Sequence, residues 1–142
     1  MAPGVRRVIA TAALAALAFA AAPAPAVDAV PCPPGTEPFA EYRFFFGRSQ
    51  GDVEVVSEEA WRSFLAEEVT PRFPDGLTVI DGAGQWRDGT GTIVRERSKL
   101  LLVLAPPGGD AMHRTDEIAE AYKHAFGQSS VLRVVTPACV SF

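Results

Sequence analysis

Four stretches of the chain carry apolar residues in strand-like runs, and two carry them at intervals of three and four. Glu41-Tyr42-Arg43-Phe44-Phe45-Phe46 is an aromatic strand ended by Gly47. Ser49 to Val56 reads as a variable connection. Ser57 is placed to cap a helix, with Glu58 and Glu59 in its first turn. Trp61, Phe64, Leu65 and Val69 recur on one face of that helix, and Pro71 stops it. Pro74-Asp75-Gly76 predicts a turn before a second strand, from Leu77 to about Trp86, and a third runs from Thr92 to Leu104. After Pro106-Pro107-Gly108-Gly109, Asp110 or Thr115 caps a second helix with Ile118, Ala121, Tyr122, Ala125 and Phe126 on its inner face. Gly127 is placed to end it. Val131 to Thr136 is the last strand.

The order β-α-β-β-α-β predicts a ferredoxin-like α+β fold. Two right-handed crossovers would build a four-stranded antiparallel sheet, ordered 4-1-3-2, with both helices on one face. The other face must meet water, a ligand or a second copy. Strand alternation assigns its residues. Phe44 and Phe46 point inward, leaving Arg43 and Phe45 outward. Leu100, Leu102 and Leu104 suit the core, which sends Arg95, Arg97, Lys99, Leu101 and Val103 out. In the last strand Leu132 and Val134 go in, and Val131, Arg133 and Val135 go out. The open face is thus expected to mix aromatics with five cations. Asp88-Gly89 signals a hairpin between the second and third strands. A two-residue turn there would oppose Asp81 and Glu96; a longer loop through Gly91 would oppose Asp81 and Arg97, the favourable pair.

Upstream of the domain, Arg6 and Arg7 precede an uncharged apolar run from Val8 to Ala22, and Ala24-Pro25-Ala26 follows. That is the pattern of a secretory signal, expected to be cleaved after Ala26, with Ala29 the other fitting site. The run is shorter than the roughly 20 residues that span a bilayer. Residues 1–26 are therefore read as signal peptide, 27–38 as a Pro-rich tether and 39–142 as a single domain. Cleavage removes Arg6 and Arg7, making the mature chain two units more negative than the formal −4 of the whole sequence. An acidic chain is a poor partner for nucleic acid or an anionic membrane. Cys32 and Cys139 flank the two strands expected to be neighbours. In an oxidising periplasm or medium they read as a disulfide.

Chemistry is sparse. Gly82-x-Gly84 lacks the third glycine of a dinucleotide fingerprint, and no phosphate loop or nucleophile elbow occurs. His113 and His124 lie too far apart along one helix to share a metal, and nothing points to a cofactor. The densest polar cluster is the second hairpin. Arg48, Asp81, Gln85, Trp86, Arg95, Arg97 and Lys99 are the candidate ligand-binding residues, arranged for a small anionic ligand held by arginine forks beside an aromatic ring. The leading expectation is a non-enzymatic binding or interaction module, with homodimerisation through the open sheet face. The alternative is an enzyme of the dimeric α/β-barrel kind, with Arg48, Asp81, Arg95 or Glu96 as its acid, base or electrostatic groups.

Phe46-Gly47-Arg48, the run from Thr70 to Val79, Gly84-Gln85-Trp86-Arg87, Arg95-Glu96-Arg97-Ser98-Lys99 and Tyr122-Lys123 resemble the family known as domain of unknown function 3574. The resemblance covers Tyr42 to Phe142. It implies a small exported bacterial protein and brings no assigned activity.

Overall fold

The computed structural model describes residues 31–142; the signal-peptide expectation lies outside them. Strand β1, Glu37–Gly47, is followed by a two-residue pair, β2 (Ser49–Gln50) and β3 (Val53–Glu54). Helix α1 spans Glu58–Phe64 and passes into a π-helical turn, Leu65–Val69. Then come β4 (Thr78–Arg87), β5 (Ile93–Ala105), α2 (Ala111–Phe126) and β6 (Leu132–Val140). The long strands form one antiparallel sheet in the order β4-β5-β1-β6, the order expected from the sequence.

The Ser57 hydroxyl accepts the Ala60 N–H, as a cap should. The π-helical turn has a sequence cause. A continuing α-helix would bring Glu68 under Phe64, whereas i→i+5 spacing brings Val69 there, and Val69 is fully buried. Gly127 adopts the left-handed conformation that ends α2. Gln50 then donates its amide to the carbonyls of Phe126 and Gly127, satisfying acceptors the helix end leaves free.

Both helices pack on one side of the sheet, around Phe46. Its ring lies 4.5 Å from Tyr122 and 5.2 Å from Trp61, centroid to centroid. Phe44, Leu101, Val103, Ile118 and Val56 complete the core.

This packing corrects the alternation in β5 and β6. Phe44 pairs with Leu101 and Phe46 with Lys99, so Lys99, Leu101, Val103 and Ala105 face the helices. Leu100, Leu102 and Leu104 face the open side. Directly opposed residues share a sheet face, and the unbroken apolar run of β5 could take either phase until β1 set it. In β6, Arg133 lies opposite Phe44 and reaches back to Thr115 and Asp116 of α2, while Leu132 lies opposite Phe45 on the open side. Ala125, expected on the inner face of α2, is exposed.

The second hairpin is corrected as well. Asp81 pairs with Lys99, neither Glu96 nor Arg97, because residues 88–92 form a longer loop. There the Asp88 carboxylate accepts the N–H groups of Thr90 and Thr92, and Gly91 takes a positive φ of 88°. Strand β1 begins at Glu37, earlier than expected, and β6 runs on to Val140. The extension sets Pro38 opposite Cys139 and brings Cys32 to it: the disulfide is formed, with Cα atoms 5.6 Å apart. Among the described residues no helix is long and apolar enough to cross a membrane.

Candidate functional site

Of the seven ligand-binding candidates, four meet on the helix side of the sheet in a closed ionic network. Arg48, 1% exposed, donates to the Val56 carbonyl at 2.8 Å, to Glu54 at 2.9 Å and to Glu58. Arg97 donates to Glu54 at 2.7 Å. Lys99, 4% exposed, donates to Glu58 at 2.8 Å and to Asp81. Three cations thus meet the three carboxylates of Glu54, Glu58 and Asp81. Burial alone would lower the Lys99 ammonium, but its hydrogen bonds to Asp81 and Glu58 outweigh that and hold its pKa above the ordinary value. A lysine kept charged is no nucleophile. Hydrogen bonds from Lys99, then Arg48, hold the Glu58 carboxyl low, and one from Arg97 does so for Glu54.

The network ties β1, the β2–β3 hairpin, the start of α1, β4 and β5 into one corner. Every charge in it is matched within the chain. The cations expected on the open face are therefore spent elsewhere, and Arg95 and Gln85 pair across the strands on the helix-side parity at the sheet edge. Arg43 alone of the five stands on the open face, neutralised by Glu41.

What the open face does hold is a cleft of about 360 Å³, lined by Phe45, Gly47, Gly84, Trp86, Glu96 and Leu132, with Ser98, Gln85 and the loop from Gln128 to Ser130 around them. Trp86 is 49% and Leu132 61% exposed. Gly47 and Gly84 leave the floor between these walls without side chains. The Glu96 carboxylate folds into that gap: a Cβ built on Gly47 would lie 2.6 Å from its Oε2. Its hydrogen bond there is from the Ser49 N–H, at 3.1 Å. Among the described residues it forms no ion pair. Behind the floor, the Tyr122 hydroxyl donates to the Gly47 carbonyl at 2.8 Å. Burial first, then Glu96, push that phenol's pKa up against Arg48, so it stays a donor.

The structure thus brings Trp86 to the cleft and draws Arg48, Asp81, Arg97 and Lys99 away from it; Gln85 borders the cleft but alternates with Arg95 to the other face. Glu96, considered only as a group for an enzyme, sits at its centre. Sequence reasoning missed the 128–130 loop, although pairing of the first and last strands already implied that the chain leaving α2 passes the end of β1.

Residues 41–142 match the family model described as Protein of unknown function (DUF3574). The chain belongs to DUF3574. No curated protein matches this DUF3574 chain. Its fold is similar to that of a phage SAM lyase, solved in complex with S-methyl-5′-thioadenosine. That likeness has a TM-score of 0.58 and 15% identity, over 80% of this chain and 95% of the lyase. The apo lyase gives 0.55 and 16%, over 81% and 97%. At these identities the likeness is one of fold. Three of the segments that carry the family resemblance, 46–48, 84–87 and 95–99, contribute to the cleft or to the network behind it.

Proposed function

We propose that this DUF3574 chain is an exported, non-enzymatic ligand-binding module whose receptor is the open-face cleft. One observation carries the reading. A carboxylate without an ion-pair partner lies on a glycine floor, between exposed aromatic walls, in a fold whose other cleft-side charges are neutralised. Such a combination of apolar walls and one directed polar group is the usual make-up of a small-molecule site. Export is supported by Arg6, Arg7 and the apolar run after them, and by the Cys32–Cys139 disulfide. Native mass spectrometry of protein recovered from periplasm or medium tests both halves. The expected species starts after Ala26 or Ala29, is oxidised and carries a small-molecule adduct. A full-length intracellular chain with nothing bound overturns the reading.

Pairing of two copies belongs to the same proposal, through apolar residues of the open face outside the cleft, Ile80 on the edge strand and Phe39 and Phe142 at the far end. Its support is that few charges lie beside these residues, Glu37, Asp75 and the Glu41–Arg43 pair, in a chain that is otherwise acidic. Sedimentation equilibrium should give twice the chain mass, and Ile80→Glu the single mass; a wild-type monomer removes this part.

A second reading is an enzyme using the same cleft, with Glu96 as its base. What favours it is the fold shared with a lyase solved with S-methyl-5′-thioadenosine. Incubation with that thioether and its S-adenosylmethionine parent decides between them. Turnover abolished by Glu96→Gln supports the enzyme; binding without turnover supports the module.

A further inference from the structure

Resting on the reading of the cleft as a receptor, we infer that its ligand is a small organic cation, an ammonium or other onium centre carried on a flat apolar group. Each part of that description answers a part of the cleft. Glu96 supplies the one unneutralised charge, and it is negative. Its sequence neighbours Arg95 and Arg97 point to the opposite face by strand alternation, and Arg97 is held there by Glu54. Arg87 and Arg95 form no ion pair among the described residues, but both alternate to that opposite face, and none of the described residues that line the cleft is a cation, so a ligand's cation meets no competitor inside it.

Trp86 and Phe45 face the same space. Aromatic faces attract alkylated cations through the ring quadrupole, most strongly where water is displaced. They also stack on flat rings. A carboxylate between aromatic walls therefore favours a cation with a weak hydration shell over a small, strongly hydrated one. An anion meets repulsion from Glu96 and finds no guanidinium on this face, because Arg43 is tied to Glu41. An anionic ligand of the kind expected from the sequence has no cation to meet in this cleft.

The Ser49 N–H donates to Glu96, so its amide resonance reports directly on that carboxylate. Four probes are titrated into the oxidised, isotope-labelled chain: benzyltrimethylammonium, tetramethylammonium, benzoate and benzyl alcohol. Benzyltrimethylammonium should shift the Ser49 amide and the Trp86 indole, and bind at least tenfold more tightly than benzoate or the alcohol. Tetramethylammonium should bind more weakly than its benzyl relative. Glu96→Gln should reduce the preference for the cation at least tenfold with the fold unchanged. A blocking variant, Gly84→Phe, controls for location: a Cβ on Gly84 meets nothing within 4 Å and its φ is not positive, so the strand should tolerate it while the ring fills the cleft. It should abolish binding of every probe. If benzoate or benzyl alcohol binds as well as the cation, or Glu96→Gln changes nothing, the cation inference falls and the receptor stands. If none of the four moves Ser49 or Trp86, both fall.

Discussion

The carboxylate of Glu96 occupies the space that a side chain at position 47 would need. Gly47 therefore acts by what it lacks. Its φ is not positive, so conformational freedom is not the reason for a glycine there. The missing Cβ lets a neighbouring strand's carboxylate lie flat on the sheet and take the Ser49 N–H.

Gly47→Ala follows from this. The methyl group would meet only the far end of a flexible side chain, so the chain should fold with a change in stability of under about 1 kcal/mol. Glu96 should swing out of the floor and release the Ser49 amide. Amide spectra of this variant should match Glu96→Gln near Ser49, and cation binding should fall to the same extent. A variant that unfolds, or binds as wild type, contradicts the packing described.

Arg48 is the largest of the fully buried side chains. Its guanidinium serves one carbonyl and two carboxylates from a site closed to water. Arg48→Met keeps the stem but leaves the Val56 carbonyl without its donor, which should cost about 2–3 kcal/mol in urea unfolding. Arg48→Lys should recover only part of that, since a single ammonium cannot span Val56, Glu54 and Glu58 at once.

The legibility of this corner was uneven. The aromatic run of β1, the Ser57 cap and the Gly127 stop are local signals, and each appears where the sequence put it. The short β2–β3 hairpin also had a local signal, Gly51-Asp52 between Gln50 and Val53, but its strands are too short for alternation to show. The site suffered more. A slip of one position in β5 exchanges both faces, and Leu100 to Val103 offer nothing polar to fix the phase. What fixes it is distant in sequence: Phe44 and Phe46 across the ladder, and Glu58 drawing Lys99 toward α1. Pairing partners of that kind are invisible one strand at a time. Hence alternation assigns Phe45 and Arg43 to the open face correctly, misassigns the other four cations, and gives no weight to Glu96.

Stability should depend on pH at both ends of a broad plateau. Glu54 and Glu58 have folded pKa values below their ordinary 4.5. The unfolded chain then binds protons that the folded chain does not. Their contribution is complete above about 4.5 and is lost as pH falls through the depressed values. Lys99 works in the other direction. Its pKa lies above the ordinary 10.5, so its contribution is complete below that value and is lost as pH rises through the folded one. Denaturation midpoints should stay level across the neutral range and fall on both sides. Glu58→Gln should flatten the acid limb, and an unchanged limb would remove Glu58 from the network.

The disulfide should carry a large share of the stability, because it joins residues separated by 107 positions and anchors the edge strand β6 to the start of β1. In the chain-entropy account a loop of that length contributes up to about 4–5 kcal/mol, by restricting the unfolded chain. The folded geometry asks little of it: β1 and β6 already hold Pro38 and Cys139 opposite each other through their own ladder. Reduction should therefore lower the urea midpoint strongly while leaving the amide spectrum of the cleft, Ser49 included, almost unmoved. That separation is the test. If reduction shifts Ser49 and Trp86 as much as the residues beside Cys139, the bond positions the cleft, and the sheet alone does not.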